Sequence, residues 1–221
     1  MDAINAIIQP IVAGVTYLYN YPGLVGRLFL EHLWLTGVAL LIALLIAVPL
    51  GLLIARVAWL RGPVLGVLGV IYTIPSLAMF VLLIPFTGLG FTSATIALVA
   101  YALLVLVRNI VVGLTTIDPA VIEAARGMGM SGWQRLVRVE LPLALPLILA
   151  GLRLAALSII AIATVAAYIN AGGLGRLLFD GINTGSRAKI VAGSLVVSLL
   201  AVLVNLVLRA LEQRAVRAVG G

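Results

Sequence analysis

The sequence contains no cysteine, one histidine (His32) and one lysine (Lys189). Without thiols there is no disulfide framework, no thiolate metal site and no cysteine nucleophile. One imidazole cannot assemble a metal cluster by itself, and no G-x-S-x-G turn is present to raise a serine nucleophile. Lys189 lies in SRAKIV with no G-x-x-x-x-G before it, which excludes a phosphate-cradling loop. Charge is also scarce: Asp, Glu, Lys and Arg make up 10% of residues, where a soluble domain carries about a quarter. An intramembrane enzyme therefore fits poorly, and a membrane scaffold, which sequence physics alone does not exclude, is the residual alternative.

What is present is apolar. Hydrophobic residues make up 64% of the chain and the mean hydropathy is +1.29, so the expected class is an all-α integral membrane protein. A hydrocarbon core about 30 Å thick needs roughly 20 apolar residues at about 1.5 Å rise each. Five runs have that length, at about 33–55, 63–86, 92–114, 144–168 and 189–209. They predict five core transmembrane helices within a domain over 33–210, with an N-terminal segment 1–32 and a tail 211–221. Residues 3–19 are apolar on balance but short, and they carry Asn5, Gln9, Pro10 and Thr16, so they read as an interfacial helix, with a sixth span as the alternative. The start MDAIN is acidic where a secretory leader would be basic, and the first strong span is expected to stay in the protein.

The formal charge of +7 raises the question of nucleic acid, but its placement answers it. In the five-span reading Arg56, Arg61, Arg108, Arg126, Arg135, Arg138, Arg153, Arg209, Arg214 and Arg217 fall on one side or at its helix ends. Arg27, Arg176, Arg187 and Lys189 fall on the other. By the positive-inside rule the first side is cytoplasmic, with the N-terminus outside and the C-terminus inside. The basic excess is a topology signal, and no nucleic-acid partner is expected.

One segment, 118–141, is a long polar excursion on the expected cytoplasmic side. Asp118 followed by Pro119 is a helix start, with the Asp side chain capping free amides and Pro at the first helical position. Val121, Ile122, Ala125 and Met128 recur on one face, and Glu123 and Arg126 lie on the other. Gly127 and Gly129 break this helix. Ser131 with Gln134 reads as a capping box for a second short helix with Trp133, Leu136 and Val137, expected to end near Pro142. Gly127, Gly129 and Gly132 satisfy G-x-G-x-x-G, but no strand precedes them, so the dinucleotide reading fails in context. Connections between spans are usually much shorter, which favours a docking element over a plain connector.

Glu123, Ala124, Ala125, Gly129, Val139, Leu141 and Pro142 together resemble the EAA signature of the permease subunits of binding-protein-dependent ABC importers, with Val139 in place of the usual isoleucine. The stretches TIPSLAMFVLLIPFTGLG (73–90), VRNIVVGL (107–114), DPAVIEAARGMGMS (118–131) and AAYINAGGLGRLLFDGI (166–182) extend the resemblance over about 24–210, towards the branch that imports glycine betaine, choline and carnitine. The resemblance implies the permease fold and a coupling helix that rests in a groove of a cytoplasmic ATPase, involving Val121, Ile122, Glu123, Ala124, Ala125, Arg126, Gly129, Leu141 and Pro142. Ala124 and Ala125 would be small contacts, and Pro142 the stop that orients the fourth span. It also implies two ATPase subunits that hold ATP and Mg, a second permease subunit identical or similar to this one, an extracytoplasmic binding protein, and the cytoplasmic (inner) membrane of a prokaryote. This chain itself would bind no cofactor or metal and catalyse no chemistry.

Other marks concern a path for solute. Gly62, Gly66 and Gly69 have the spacing that permits close helix approach. Pro75 and Pro85 interrupt the second run, and irregular backbone in a membrane is tolerated where it is buried or lines a cavity, which makes Tyr72 and Ser76 candidate pathway residues. Arg108 and Asn109 read as interface anchors, as does His32 beside Glu31. The glycine-rich stretch 167–189 reads either as a re-entrant connector or, by the resemblance, as a gate that includes Tyr168, Asn170, Gly172 and Gly173. Within it Arg176 and Asp180 have the spacing to pair across one helical turn. The seven acids, Asp2, Glu31, Asp118, Glu123, Glu140, Asp180 and Glu212, fall in loops, tails or helix ends. An ion-coupled carrier keeps an ionisable group in the bilayer despite a cost of roughly 2.5 to 3.5 kcal/mol, so ion coupling is disfavoured. The reading is a permease for a quaternary ammonium solute, with another small polar solute such as an amino acid as the alternative.

Overall fold

The computed structural model describes residues 2–220, with side chains over 8–218. Every regular element among the described residues is helical. That follows from the sequence: in lipid each backbone N–H and C=O must find its partner internally, and an apolar helix does this within one segment. The helices are α1 (Asp2–Asn20), α2 (Pro22–Arg56), α3 (Ala58–Thr73), α4 (Ser76–Thr87), α5 (Phe91–Thr115), α6 (Pro119–Gly127), α7 (Gly132–Arg135), α8 (Leu141–Ala166), α9 (Gly175–Asn183) and α10 (Arg187–Gly220). A π-turn (Leu136–Glu140) joins α7 to α8, and a 3-10 turn (Ala167–Ile169) follows α8.

Among the described residues four helical stretches are long and apolar enough to cross a membrane, and α3 with α4 makes a fifth if the pair counts as one span. That pair is bent by 98°. Pro75 causes the break: it lacks an N–H, its ring opposes the carbonyl four residues back, and it pushes Ile74 out of helical geometry. Pro85 lies inside α4 without ending it; the helix stops instead at Gly88, with φ 77°. The first long helix begins at Pro22, well before the apolar run at 33, and its 35 residues extend about 52 Å, more than a hydrocarbon core requires. Helix α1 is not among the candidate spans. Its Gly14 lies against α10, where a Cβ would come within 2.6 Å of Val191.

The chain divides into two compact units. The first comprises Met1–Leu40, Ile74–Val99 and Leu157–Leu203, and the second Leu41–Thr73, Ala100–Ala156 and Val204–Gly221. In the first, Leu28, Leu35, Phe80, Leu98, Ile159, Ile169, Leu174 and Leu177 are fully buried with Ala39, Ala94, Ala97 and Ala163 between them. In the second, Ile54, Leu106 and Ile110 are buried with Ala43, Ala47, Ala102, Ala144 and Ala155. So many buried alanines reflect how apolar helices associate without a hydrophobic drive: small residues let backbones approach, and dispersion does the rest. Gly51 against Ile110 and Gly151 against Asn109 are the tightest such approaches in the second unit. Arg153, inside α8, is matched there by Glu212 at 2.9 Å and Asn205 at 3.3 Å on α10.

Candidate functional site

The signature segment folds largely as its punctuation predicts. Asp118 Oδ1 accepts from the Ala120 amide at 2.8 Å, with Pro119 opening α6. The helix ends at Gly127, and the chain turns at Gly129 with φ 76°. Ser131 and Gln134 form the reciprocal capping box at 3.3 Å and 2.9 Å.

Two expectations for this segment fail. Ala125 is 1% exposed, so it packs within its own unit and cannot be a contact for a partner; Ala124, by contrast, is exposed. Pro142 does not stop a helix either. The chain stays helical from Gly132 to Ile169, and Pro142 is the second residue of α8. The π-turn explains how: the Leu141 amide bonds the Leu136 carbonyl, and widening the turn by one residue accommodates a proline that has no N–H to give.

Val121, Glu123, Ala124, Arg126, Met128, Gly129 and Trp133 are exposed, while Ile122 is half-buried. Trp133 and Met128 are 73% and 69% exposed, an unusual state for side chains of their kind. Leu136, three residues on from Trp133, is buried. At the end of the π-turn Glu140 accepts from Arg135 Nε at 2.7 Å and from Arg56 Nη2 at 3.1 Å. Sequence reading missed this triad, because Arg56 and Glu140 are distant in the chain and Arg135 and Glu140 have no ordinary helical spacing.

In the first unit the glycine stretch is an ordered loop. Asn170, Gly172 and Gly173 all have positive φ, at 63°, 82° and 77°. The Gly173 amide donates to Glu31 Oε2 at 3.0 Å, and Arg27 lies 3.6 Å from the other Glu31 oxygen. His32 is not an interface anchor: it is fully buried and its Nε2 donates to the Ile160 carbonyl at 3.2 Å. A carbonyl can only accept, so Nε2 carries the proton. Among the described residues the other ring nitrogen, Nδ1, has no hydrogen-bond partner, and a Cβ on Gly173 would lie 2.9 Å from it. Arg176 and Asp180 do share α9, but they are not among the ion pairs of the described residues.

The pathway candidates separate between the units. Tyr168, Asn170, Gly172, Gly173 and Ser76 belong to the first, with Tyr168 exposed and 5.8 Å from the Phe179 ring. Tyr72 belongs to the second, where it meets Tyr101 edge to face at 5.8 Å and 72°. Asn109 donates to the Val105 carbonyl at 2.8 Å and packs against Gly151, which is helix packing and not an interface anchor. Among the described residues no heavy atom lies within 4 Å of where a Cβ on Gly62, Gly66 or Gly69 would sit, so their spacing brings no described helix into close approach.

Comparison with known proteins joins these features. A family profile described as "Binding-protein-dependent transport system inner membrane component" matches residues 47–217. The osmoprotectant import permease protein OsmW of Salmonella typhimurium is 42% identical over 90% of this chain and 94% of its own length. The carnitine transport permease protein OpuCB of Listeria monocytogenes is 43% identical over 83% and 84%. Among solved structures, a chain of the inward-facing MetNI methionine ABC transporter superposes with a TM-score of 0.75 at 27% identity, covering 89% of this chain and 96% of that one. An all-helical, multi-pass chain with an ordered signature segment, matched over this length, belongs to the inner-membrane permease subunits of binding-protein-dependent ABC importers.

Proposed function

We propose that this permease imports a quaternary ammonium osmoprotectant of the glycine betaine, carnitine or choline type. One observation carries the reading: relatives named for osmoprotectant, carnitine and choline transport reach 35–43% identity over 83–90% of the chain. The amino-acid importers enter by structural similarity at 22–27% identity, which supports the fold more than the solute. ATP is hydrolysed elsewhere in the complex, and the chain contributes the path. The complex we infer has two permease subunits, two ATPase subunits holding ATP and Mg, and an extracytoplasmic binding protein. Its orientation, N-terminus out and C-terminus in, is supported by the arginine distribution. Reconstituted with its ATPase and binding protein in proteoliposomes, the complex is expected to accumulate labelled glycine betaine, carnitine or choline on ATP addition. Accumulation of an amino acid with none of the three amines would overturn the substrate assignment.

Energy reaches the path through the signature segment. Its exposed apolar side chains, Trp133 and Met128 above all, suit a groove on the ATPase, and aromatic anchors tend to dominate such interfaces. Gly129 has a left-handed φ with room for a Cβ, so a larger residue there carries a backbone strain of about 1–2 kcal/mol but overlaps no described residue at its Cβ, and it obstructs an approaching partner. With Glu123→Trp and Gly129→Trp combined, the permease is expected to insert normally while ATPase co-purification and uptake fall to background. Full retention of both would remove the docking assignment.

A further inference from the structure

We propose that Glu140 is a positioning residue for coupling, holding the inner part of the signature segment to the end of α2 through Arg56 and Arg135. The inference rests on the docking role assigned to that segment. Glu140 is nearly enclosed, its side chain 13% exposed, and each oxygen takes a different guanidinium: Oε1 from Arg135 Nε at 2.7 Å and Oε2 from Arg56 Nη2 at 3.1 Å. Charge-assisted bonds of this length are stronger and more directional than neutral ones. Arg135 is the last residue of α7, which begins at the Ser131 capping box beside the docking face. Arg56 is the last residue of α2, a long apolar helix. The carboxylate therefore joins the element that a partner would push to the end of a long apolar helix.

The π-turn makes this geometry possible. On an α-helix with 3.6 residues per turn, residues five apart point about 140° away from each other. Bonding from i to i+5 brings Arg135 and Glu140 onto one face, and the Leu141 amide to Leu136 carbonyl bond shows that register. The widened turn thus does two things at once: it tolerates Pro142 and it aims Glu140 at both arginines. Two further arginines lie close in sequence to this triad. Arg138 is exposed, and Arg61 donates to the Ala55 carbonyl at 3.2 Å near the end of α2. Removing Glu140 would leave guanidinium groups facing one another without a counter-charge, loosening the joint while the docking face stays intact.

The test uses the whole complex in proteoliposomes and reads two quantities: ATPase subunit retained per permease, and solute imported per ATP hydrolysed. For Glu140→Gln, retention is expected to stay at the wild-type level while solute per ATP falls about tenfold, within the range by which residues along a coupling route alter it. Arg56→Gln should show the same defect, Arg56→Lys should recover most of it, and Glu140→Gln with Arg56→Gln together should be no worse than Glu140→Gln alone. Should Glu140→Gln fail to assemble, the Arg56 pair decides, since that side chain is 44% exposed and its loss spares the packing. Unchanged solute per ATP in both single variants, or defects that multiply in the double, would overturn the proposal. The docking assignment fails separately: if Glu123→Trp with Gly129→Trp retains the ATPase, that reading falls and takes this one with it.

Discussion

Gly175→Ala is expected to destabilise the folded permease strongly. A Cβ at this position would overlap the Thr164 carbonyl oxygen, lie 2.8 Å from the Thr164 carbonyl carbon and 2.9 Å from Ala167 Cβ. Two of those atoms are backbone near the end of α8, which cannot swing aside as the tip of a long side chain can. Overpacking of a core costs typically 1–3 kcal/mol, and a backbone obstruction belongs at or above the upper end. Stability totals only about 5–15 kcal/mol in ordinary domains, so a loss of about 3 kcal/mol is a large part of it. In detergent, the unfolding midpoint should fall by about 10 °C. A midpoint within experimental error of wild type would mean that α8 and α9 can separate locally to make room for the added methyl.

Gly173→Ala is expected to spare folding more and transport less. Two costs combine: a left-handed backbone, about 1–2 kcal/mol for a residue with a Cβ, and a contact 2.9 Å from His32 Nδ1 and 3.3 Å from His32 Cα. The loop must then leave the Glu31 carboxylate that now receives the Gly173 amide at 3.0 Å. If that loop gates the path, uptake should fall at least about tenfold with the ATPase subunit still bound, as about 1.4 kcal/mol corresponds to a factor of ten. Gly173→Asn separates the two costs. Asparagine accepts a left-handed φ more readily than alanine but is larger, so it should be no better if the His32 contact governs. Wild-type uptake in Gly173→Ala would show that the strap to α2 has no part in gating, and Tyr168 and Asn170 would lose their place as pathway candidates with it.

Both variants concern contacts that no stretch of sequence announces, and the contrast with the signature segment is instructive. Asp118, Pro119, Ser131 and Gln134 were readable because capping acts over three or four residues, so the residue types alone determine which amides are satisfied. The apolar runs were readable for the same local reason: the bilayer sets a length, and a run either meets it or does not. Pro75 was expected to disturb its helix and does, because the missing N–H is a property of that residue; Pro85 has the same defect but lies in the last turn of α4, where few bonds remain to lose.

The amino-acid sequence by itself therefore determined the class, the helical segments, the caps of the signature segment and, through the EAA pattern, the family. Three-dimensional packing decided which faces those helices bury. In a soluble helix an apolar stripe marks the buried side, but here nearly every side is apolar and the pattern carries little information about which one is covered. Hence Ala125 turned inward beside an exposed Ala124, His32 became a buried partner of Ile160, and Glu31 found the amide of a glycine far along the chain. Glu140 is the same lesson in another form. Its identity is local, but the register that points it at Arg56 and Arg135 comes from one π-turn, chosen by a proline and by two arginines that need a common counter-charge.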